Sequence, residues 1–267
     1  MIEFHNVSFI YPNGFKALDE INLKIREGDL LALVGENGSG KTTLIKHLNG
    51  LLKPTQGKVF IFGRDTKELT VAEVSRYVGI VFQNSDSQLF SETVEDEIAF
   101  GLRNFGFSEE DINLRINFAL RLFELEIYRK KSPFLLSGGE KKRLCMACIL
   151  AWDPRFIVLD EPTVGQDFLE KEKLIQMIDL LRRKGKGIVI ASHDIEFLWK
   201  LQPKMVVMKN GRIIAYSSAE EIFSNSSILD QSNLIPPQLV ELSKHLSTKA
   251  FQTIEQAKEW IKKRVNV

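Results

Sequence analysis

The sequence predicts an α/β fold with a mostly parallel sheet, an antiparallel β subdomain, a helical insertion and a small C-terminal helical extension. Three observations lead there. Leu30–Val34, Phe156–Leu159 and Gly187–Ala191 are uniformly apolar runs of strand length, as in parallel strands covered on both faces. Ile2, Phe4, Val7 and Phe9, and then Leu18, Ile21, Leu23 and Ile25, roughly alternate with polar residues. Residues 92–150 abandon both patterns for helical spacing.

The elements follow in order. The alternating pieces end at the turn Glu27-Gly28-Asp29, and Leu30–Val34 is the central strand. A Gly-rich loop leads to a helix starting near Lys41. Residues 57–63 form a strand between glycines, and Val78–Phe82 another. Thr93 caps a helix with acidic residues in its first turn. Asp111–Tyr128 is amphipathic, with Ile112, Ile116, Ala119, Leu120 and Phe123 at helical spacing. Ser137-Gly138-Gly139 opens another helix. After the strand at 156–160, a helix runs through Leu181. Asn210-Gly211 joins two strands as a hairpin turn. Strands stop after Ala219. The expected organisation is a domain over 1–219, with its helical part at about 92–150, and an extension over 220–267.

Composition narrows the function. The chain has 267 residues, enough for one large domain or one plus an appendage. Lys plus Arg is 36 against 35 Asp plus Glu, a net charge of +1 that argues against strong global attraction to nucleic acid or anionic lipid. Two Cys cannot make a disulfide scaffold, nothing resembles a signal peptide, and no run approaches the ~20 apolar residues of a bilayer span. Any membrane role is expected from the water side.

Gly35-Glu36-Asn37-Gly38-Ser39-Gly40-Lys41-Thr42 is GxxxxGK[ST] between a strand and a helix, the phosphate loop of a P-loop NTPase core. Its glycines let backbone N–H groups converge on phosphate oxygens, and the helix terminus adds a favourable field. Lys41 can reach the outer phosphates, and the Thr42 hydroxyl can sit on Mg²⁺. Asp160 ends a second apolar strand beside this loop and can ligate Mg²⁺ through water. Glu161 can accept a proton from attacking water. Gln83 ends another strand and can hold water or Mg²⁺. His193 can contact a γ-phosphate, although a lone histidine after a strand is more often structural. Ser137-Gly138-Gly139 is a second anion-binding helix terminus. One nucleotide does not need two such termini from one chain, whereas two facing subunits would each supply one.

These residues resemble the ATP-binding cassette (ABC) ATPase family in order: GENGSGKT at 35–42, Gln83, LSGGE at 136–140, IVLDEPT at 157–163, and His193. The resemblance covers about residues 1–217. It implies a head-to-tail dimer hydrolysing ATP with Mg²⁺. Gly35 through Thr43 would be the Walker A loop, Asp160 the Walker B carboxylate, Glu161 the general base and His193 the switch histidine. Ser137, Gly138 and Gly139 would contact the γ-phosphate held by the partner subunit, and Asp167 would touch that subunit. Tyr11 stands where the family places an adenine-stacking aromatic, with Phe9 and Phe15 as nearby rivals.

FIYPNGFKALDEINLKI, VFQNSDSQLFSETVEDEIAFG and the tail with Leu234-Ile235-Pro236-Pro237 resemble the ATPases of energy-coupling-factor (ECF) transporters. That implies a second ATPase subunit, identical or different, an integral-membrane coupling subunit and a capture subunit for a vitamin or transition-metal ion. The chain would lie peripherally on the cytoplasmic face of the cell membrane and need no nucleic acid. The alternatives are another ABC transporter class and a soluble ABC ATPase working on nucleic acid or ribosomes. The latter usually carries coiled-coil insertions or a second cassette.

Some residues depart from the family or carry weaker signals. Gln166 and Phe168 replace the usual Leu and Pro around Asp167. Either Gln166 tunes subunit pairing or the surface there tolerates polarity. Cys145 and Cys148 read as small buried thiols rather than a metal pair. Lys130-Lys131 and Glu140-Lys141-Lys142-Arg143 read as solvated helix surface, with a partner or lipid contact as the alternative. Leu89, Phe90, Phe100 and Leu102 either line a groove for a membrane subunit or form the core of the helical part. Ile254, Ala257, Trp260, Ile261 and Val265 form a stripe that resemblance assigns to a dimer-stabilising tail.

Overall fold

A computed structural model describes residues 1–265; Asn266 and Val267, at the end of the predicted tail, lie outside the described residues, as does the side chain of Val265. Two sheets organise the chain. The first is antiparallel, with β1 (Ile2–Ile10), β2 (Lys16–Ile25), β4 (Gln56–Ile61) and β5 (Arg64–Asp65) in the order β2-β1-β4-β5. The second joins β3 (Leu30–Val34), β6 (Val78–Val81), β7 (Phe156–Asp160), β8 (Gly187–Ala191), β9 (Lys204–Lys209) and β10 (Arg212–Ser218) in the order β10-β9-β3-β8-β7-β6. Its pairs are parallel except β9 with β10. The α/β class and both sheet types agree with the sequence reading.

The central strand explains its own composition. Every residue of β3 is buried. Leu30, Ala32 and Val34 join the core beneath the helical insertion, while Leu31 and Leu33 join the core beneath the antiparallel sheet. A strand with two cores has no polar face, so alternation disappears.

Helix α1 (Lys41–Leu48) follows the phosphate loop, and the short α2 (Val71–Ser75) precedes β6. The insertion holds α3 (Val94–Asn104), α4 (Glu109–Leu122) and α5 (Gly138–Ala151). Thr93 caps α3, its hydroxyl accepting from the Asp96 N–H at 3.2 Å. The helix predicted over 111–128 instead ends at Leu122. Glu124 turns left-handed at φ +56°, and a short 3₁₀ turn spans Glu126–Tyr128. The Leu125 N–H returns to Leu120 O at 2.8 Å, closing the helix end while Leu125 stays buried.

α6 (Phe168–Arg183) and α7 (Ile195–Leu201) lead into β8 and β9, and α8 (Ala219–Ser224), α9 (Ser226–Ser232), α10 (Gln238–His245) and α11 (Ile254–Val265) complete the chain. The last helices pack on their own chain. Trp199, 2% exposed, donates its indole N–H to Phe251 O at 3.0 Å. Phe251 meets the Trp260 ring edge-on, and Ala257 is buried. Ile254 and Ile261 on the same stripe remain exposed.

Candidate active site

The phosphate loop sits where β3 hands over to α1. Two of its glycines are dictated by close backbone approach. Gly35 has φ +141°, and a Cβ there would lie 2.1 Å from Met208 O. Gly40 has φ +104°, and its Cβ would meet Ala17 O at 2.6 Å. A side chain at either would collide with main chain that cannot swing away. The β9–β10 hairpin holds the loop from behind, with the Gly211 N–H on Ser39 O at 3.1 Å. Among the described residues no side chain caps α1, so its N-terminal N–H groups face the loop.

A cavity of about 410 Å³ opens at this point. From the loop and α1, it is lined by Asn37, Gly38, Gly40, Lys41, Thr42 and Thr43. Across from them stand Gln83, Asp160, Glu161 and His193, each just past the C-terminal edge of β6, β7 or β8, or ending it. Parallel strands bring these distant residues together. Gly35 and Ser39 are buried in the loop's base.

Lys41 is 8% exposed and donates to Gly35 O at 2.7 Å and Glu36 O at 2.9 Å. Burial lowers its pKa, opposed by the charges of Glu161 and Asp160. Asp160 is raised to about 6, first by burial and then by the neighbouring Glu161 carboxylate, with Lys41 opposing. The Glu161 carboxylate accepts from the His193 N–H at 3.2 Å and faces His193 Nε2 at 3.4 Å. Glu161 also has φ +48°, a left-handed conformation that costs a non-glycine residue about 1–2 kcal/mol. Its own N–H bonds Ala191 O at 2.8 Å.

The donors fit Mg²⁺. Thr42, Gln83 and Asp160 offer a hydroxyl, an amide and one carboxylate at one cavity, all oxygen donors. Among the described residues no group of three or more His, Cys, Asp or Glu forms an all-protein cage. A hard cation that uses one carboxylate, water and phosphate oxygens needs none. Such a cation would also favour the charged form of Asp160 that burial opposes.

Other predicted residues lie elsewhere. Tyr11 does not line the cavity. Its hydroxyl pairs with Thr43 Oγ1 at 3.1 Å and its ring stands edge-on to Phe9. Phe15, 55% exposed, is the aromatic ring on the cavity wall. Ser137, Gly138 and Gly139 are also outside it. There Ser137 and Glu140 form a reciprocal cap at the start of α5. Asp167 caps α6, accepting from the Glu170 N–H at 2.9 Å. Gln166 lies beside Gly139 of its own chain.

The Glu140–Arg143 cluster differs from its reading as solvated surface, whereas Lys130 and Lys131 are exposed as read. Lys141 pairs with Asp86 at 2.6 Å, Arg143 with Glu170 at 3.0 Å, and Lys142 is 4% exposed. Cys145 is buried and Cys148 half-buried, as small packed thiols.

The ABC transporter family profile matches residues 18–164. A relative from Caldanaerobacter subterraneus is 44% identical over 96% of this chain, and this chain spans 45% of that relative's length. The energy-coupling factor transporter ATP-binding protein EcfA2 of Clostridium tetani is 40% identical, across 99% of this chain and 97% of its own. Among solved structures, cbiO1 from Clostridium perfringens, part of the ABC transporter complex cbiONQ, is 31% identical with a TM-score of 0.76, covering 92% of this chain and 98% of its own. An ATP-binding cassette solved as a dimer in a post-hydrolysis state with ADP and Pi is 30% identical with a TM-score of 0.74, covering 82% and 98%. This chain belongs to the ABC transporter family of ATP-binding proteins, and its relatives there include energy-coupling-factor ATPase subunits.

Proposed function

We propose that this chain is the Mg²⁺-dependent ATP-hydrolysing subunit of an ECF-type importer of a vitamin or transition-metal ion. The observation that carries the chemistry is the single cavity holding Lys41, Asp160, Glu161 and His193, with Ser137–Gly139 outside it. Two copies, or this chain and a related one, pair head to tail. Each then brings its Ser137–Gly139 helix start to the nucleotide on the other's phosphate loop. The transporter class rests on similarity to EcfA2 along nearly the whole chain, extension included.

In this reading the N–H groups of the loop and α1 cradle the phosphates, and Lys41 neutralises the outer oxygens. Mg²⁺, held by Thr42, Gln83 and Asp160, supplies charge neutralisation on the phosphates. Glu161 takes the proton of the attacking water, and His193 holds the Glu161 carboxylate in place through its N–H and ring. Asp167 contacts the second subunit. The adenine stacks on an aromatic of the β1–β2 turn, Tyr11 or Phe15. Closure of the pair moves an integral-membrane coupling subunit, and a separate membrane component captures the cargo. The chain works at the cytoplasmic membrane face. Among the described residues no helix is long and apolar enough to cross a bilayer. The domain is proposed as 1–219 with its helical part near 92–150, and 220–267 as a dimer contact.

Glu161→Gln tests the chemistry. The amide keeps the shape but not the basicity, so turnover falls by about 10²–10⁴-fold while ATP still binds. Equal turnover in the variant and the wild type would remove Glu161 from the role. Native mass spectrometry of the complex purified from its own membranes tests the assembly. A mass of two ATPases plus one or two integral-membrane proteins supports it; the chain found alone, or with nucleic-acid machinery, refutes it.

A further inference from the structure

We infer that Lys142 is a positioning residue for ATP hydrolysis: its ammonium clamps the Glu161–Val164 backbone and ties the helix that serves one nucleotide to the general base that serves the other. This rests on Glu161 being the base and on the head-to-tail pairing proposed above.

The geometry is specific. Lys142 lies in the first turns of α5, four residues beyond Gly138. Its Nζ donates to Glu161 O at 3.2 Å, Pro162 O at 3.1 Å and Val164 O at 2.9 Å. An ammonium has three N–H groups, so all three are used. The acceptors all belong to the turn that follows β7, where the Val164 N–H closes back on Glu161 O at 3.3 Å. Glu161 itself holds a left-handed φ of +48°. A non-glycine residue stays in that region only when its surroundings over-determine it. Lys142 grips the carbonyl side of this residue, while Ala191 O takes its N–H and His193 takes its carboxylate.

Two functions therefore meet on one helix. The first turn of α5 presents Ser137–Gly139 to the partner's nucleotide, and the next turn fixes the carboxylate serving the chain's own nucleotide. Any rotation of α5 shifts the three carbonyls and, with them, the aim of Glu161. Occupancy of one site is thus passed to the base of the other by a hydrogen-bonded contact, without a long-range path.

The test uses the full chain in its purified complex, with Lys142→Met, Lys142→Arg and Lys142→Gln, each alone and combined with Glu161→Gln. Binding is read with a fluorescent ATP analogue and turnover by phosphate release. Lys142→Met keeps analogue affinity within about threefold and lowers kcat by at least about tenfold, a split expected when only transition-state geometry is lost. Lys142→Arg restores most of kcat, because it keeps charge and donors. In the Glu161→Gln background Lys142→Met changes the residual rate less than about twofold, since residues acting as a unit are non-additive. If Lys142→Met fails to fold, Lys142→Gln, which keeps two donors, carries the same comparison. Unchanged kcat overturns the inference. So does a loss of equal size with and without Glu161. In either case an active wild type and an inactive Glu161→Gln leave the ATPase reading intact. A wild type that hydrolyses no ATP, or a fully active Glu161→Gln, overturns both.

Discussion

Gly79→Ala adds one methyl group where the parallel sheet meets the helical insertion. Gly79 lies in β6, directly against α5. A Cβ there sits 2.3 Å from Ile149 Cγ2, 3.3 Å from Pro154 Cγ and 3.5 Å from Trp152 Cζ2. Carbon atoms rest at about 3.5–4.0 Å, so the Ile149 methyl must retreat by about 1.2 Å or more. Ile149 is buried, 9% exposed, and the φ of Gly79 lies outside the left-handed region. Crowding alone therefore sets the cost, about 1–3 kcal/mol for an overpacked core position. For a chain of this size each kcal/mol moves the midpoint by roughly 2–4 °C, giving a drop of about 2–12 °C in a thermal melt. Ile149→Ala alone leaves a void and costs about 2–5 kcal/mol. Together the two changes place one methyl near the space vacated by the other, and the double variant should beat the sum by about 0.5–3 kcal/mol. The assay is thermal unfolding of all four proteins by circular dichroism. A Gly79→Ala protein melting with the wild type, or strictly additive losses, would refute this account of the sheet–helix contact.

Two further expectations concern titration and reactivity. The Ser137 N–H and hydroxyl donate to Glu140 at 2.7 and 2.8 Å. Glu140 is held at about 2 rather than 4.5, first by the bond from Tyr128 and then by those from Ser137. A depressed carboxylate stabilises fully above its unfolded pKa and loses that contribution as pH falls through the folded one. The melting difference between wild type and Glu140→Ala should therefore hold at neutral pH, shrink between 4.5 and 2, and vanish below; a difference flat across that window contradicts the capping bond. Burial pushes the Cys145 thiol to about 11 and raises Cys148 as well. Neither should take up iodoacetamide at neutral pH until the chain is unfolded, because the thiolate is the nucleophile. Rapid labelling of the folded protein would show them to be exposed.

The parts legible in sequence were those set by local chemistry. The phosphate loop needs particular glycines, and the run Leu30–Val34 needs two cores. The Asn210-Gly211 turn has φ +49° and +76°, conformations its residue types favour. Distant packing hid the rest. Ile127, four residues after Phe123, continues the apolar spacing of α4, so periodicity could not mark the break at Glu124, although the break leaves Ile127 exposed. Which ring of the β1–β2 turn faces the cavity depends on how that turn folds back. Tyr11 spends its hydroxyl on Thr43, and Phe15 takes the wall. Lys142 was least legible. In a cluster with Glu140, Lys141 and Arg143 it reads as solvated, and only the path of residues 161–164 explains its burial. The one sequence signal was an otherwise mostly apolar helix, with Leu144, Cys145, Met146 and Ala147 beginning just beyond Arg143.

Of the three lysines buried among the described residues, Lys186 pairs with the Asp153 carboxylate, and the other two, Lys41 and Lys142, separate by counting donors. Each ammonium is taken out of water, which is tolerable only when its N–H groups find acceptors. Both use main-chain carbonyls rather than a carboxylate salt bridge. Lys142 gives all three N–H groups to the turn after β7 and has nothing left for a ligand. Lys41 gives two to Gly35 and Glu36, borders the cavity, and among the described residues keeps its third donor uncommitted. A phosphate oxygen can then bind Lys41 without breaking either carbonyl bond, so the loop arrives already shaped around its cation. The same residue type thus keeps a donor for a ligand at one strand end and is wholly committed as a main-chain clamp near another. What distinguishes them is the number of hydrogen bonds the fold has already claimed.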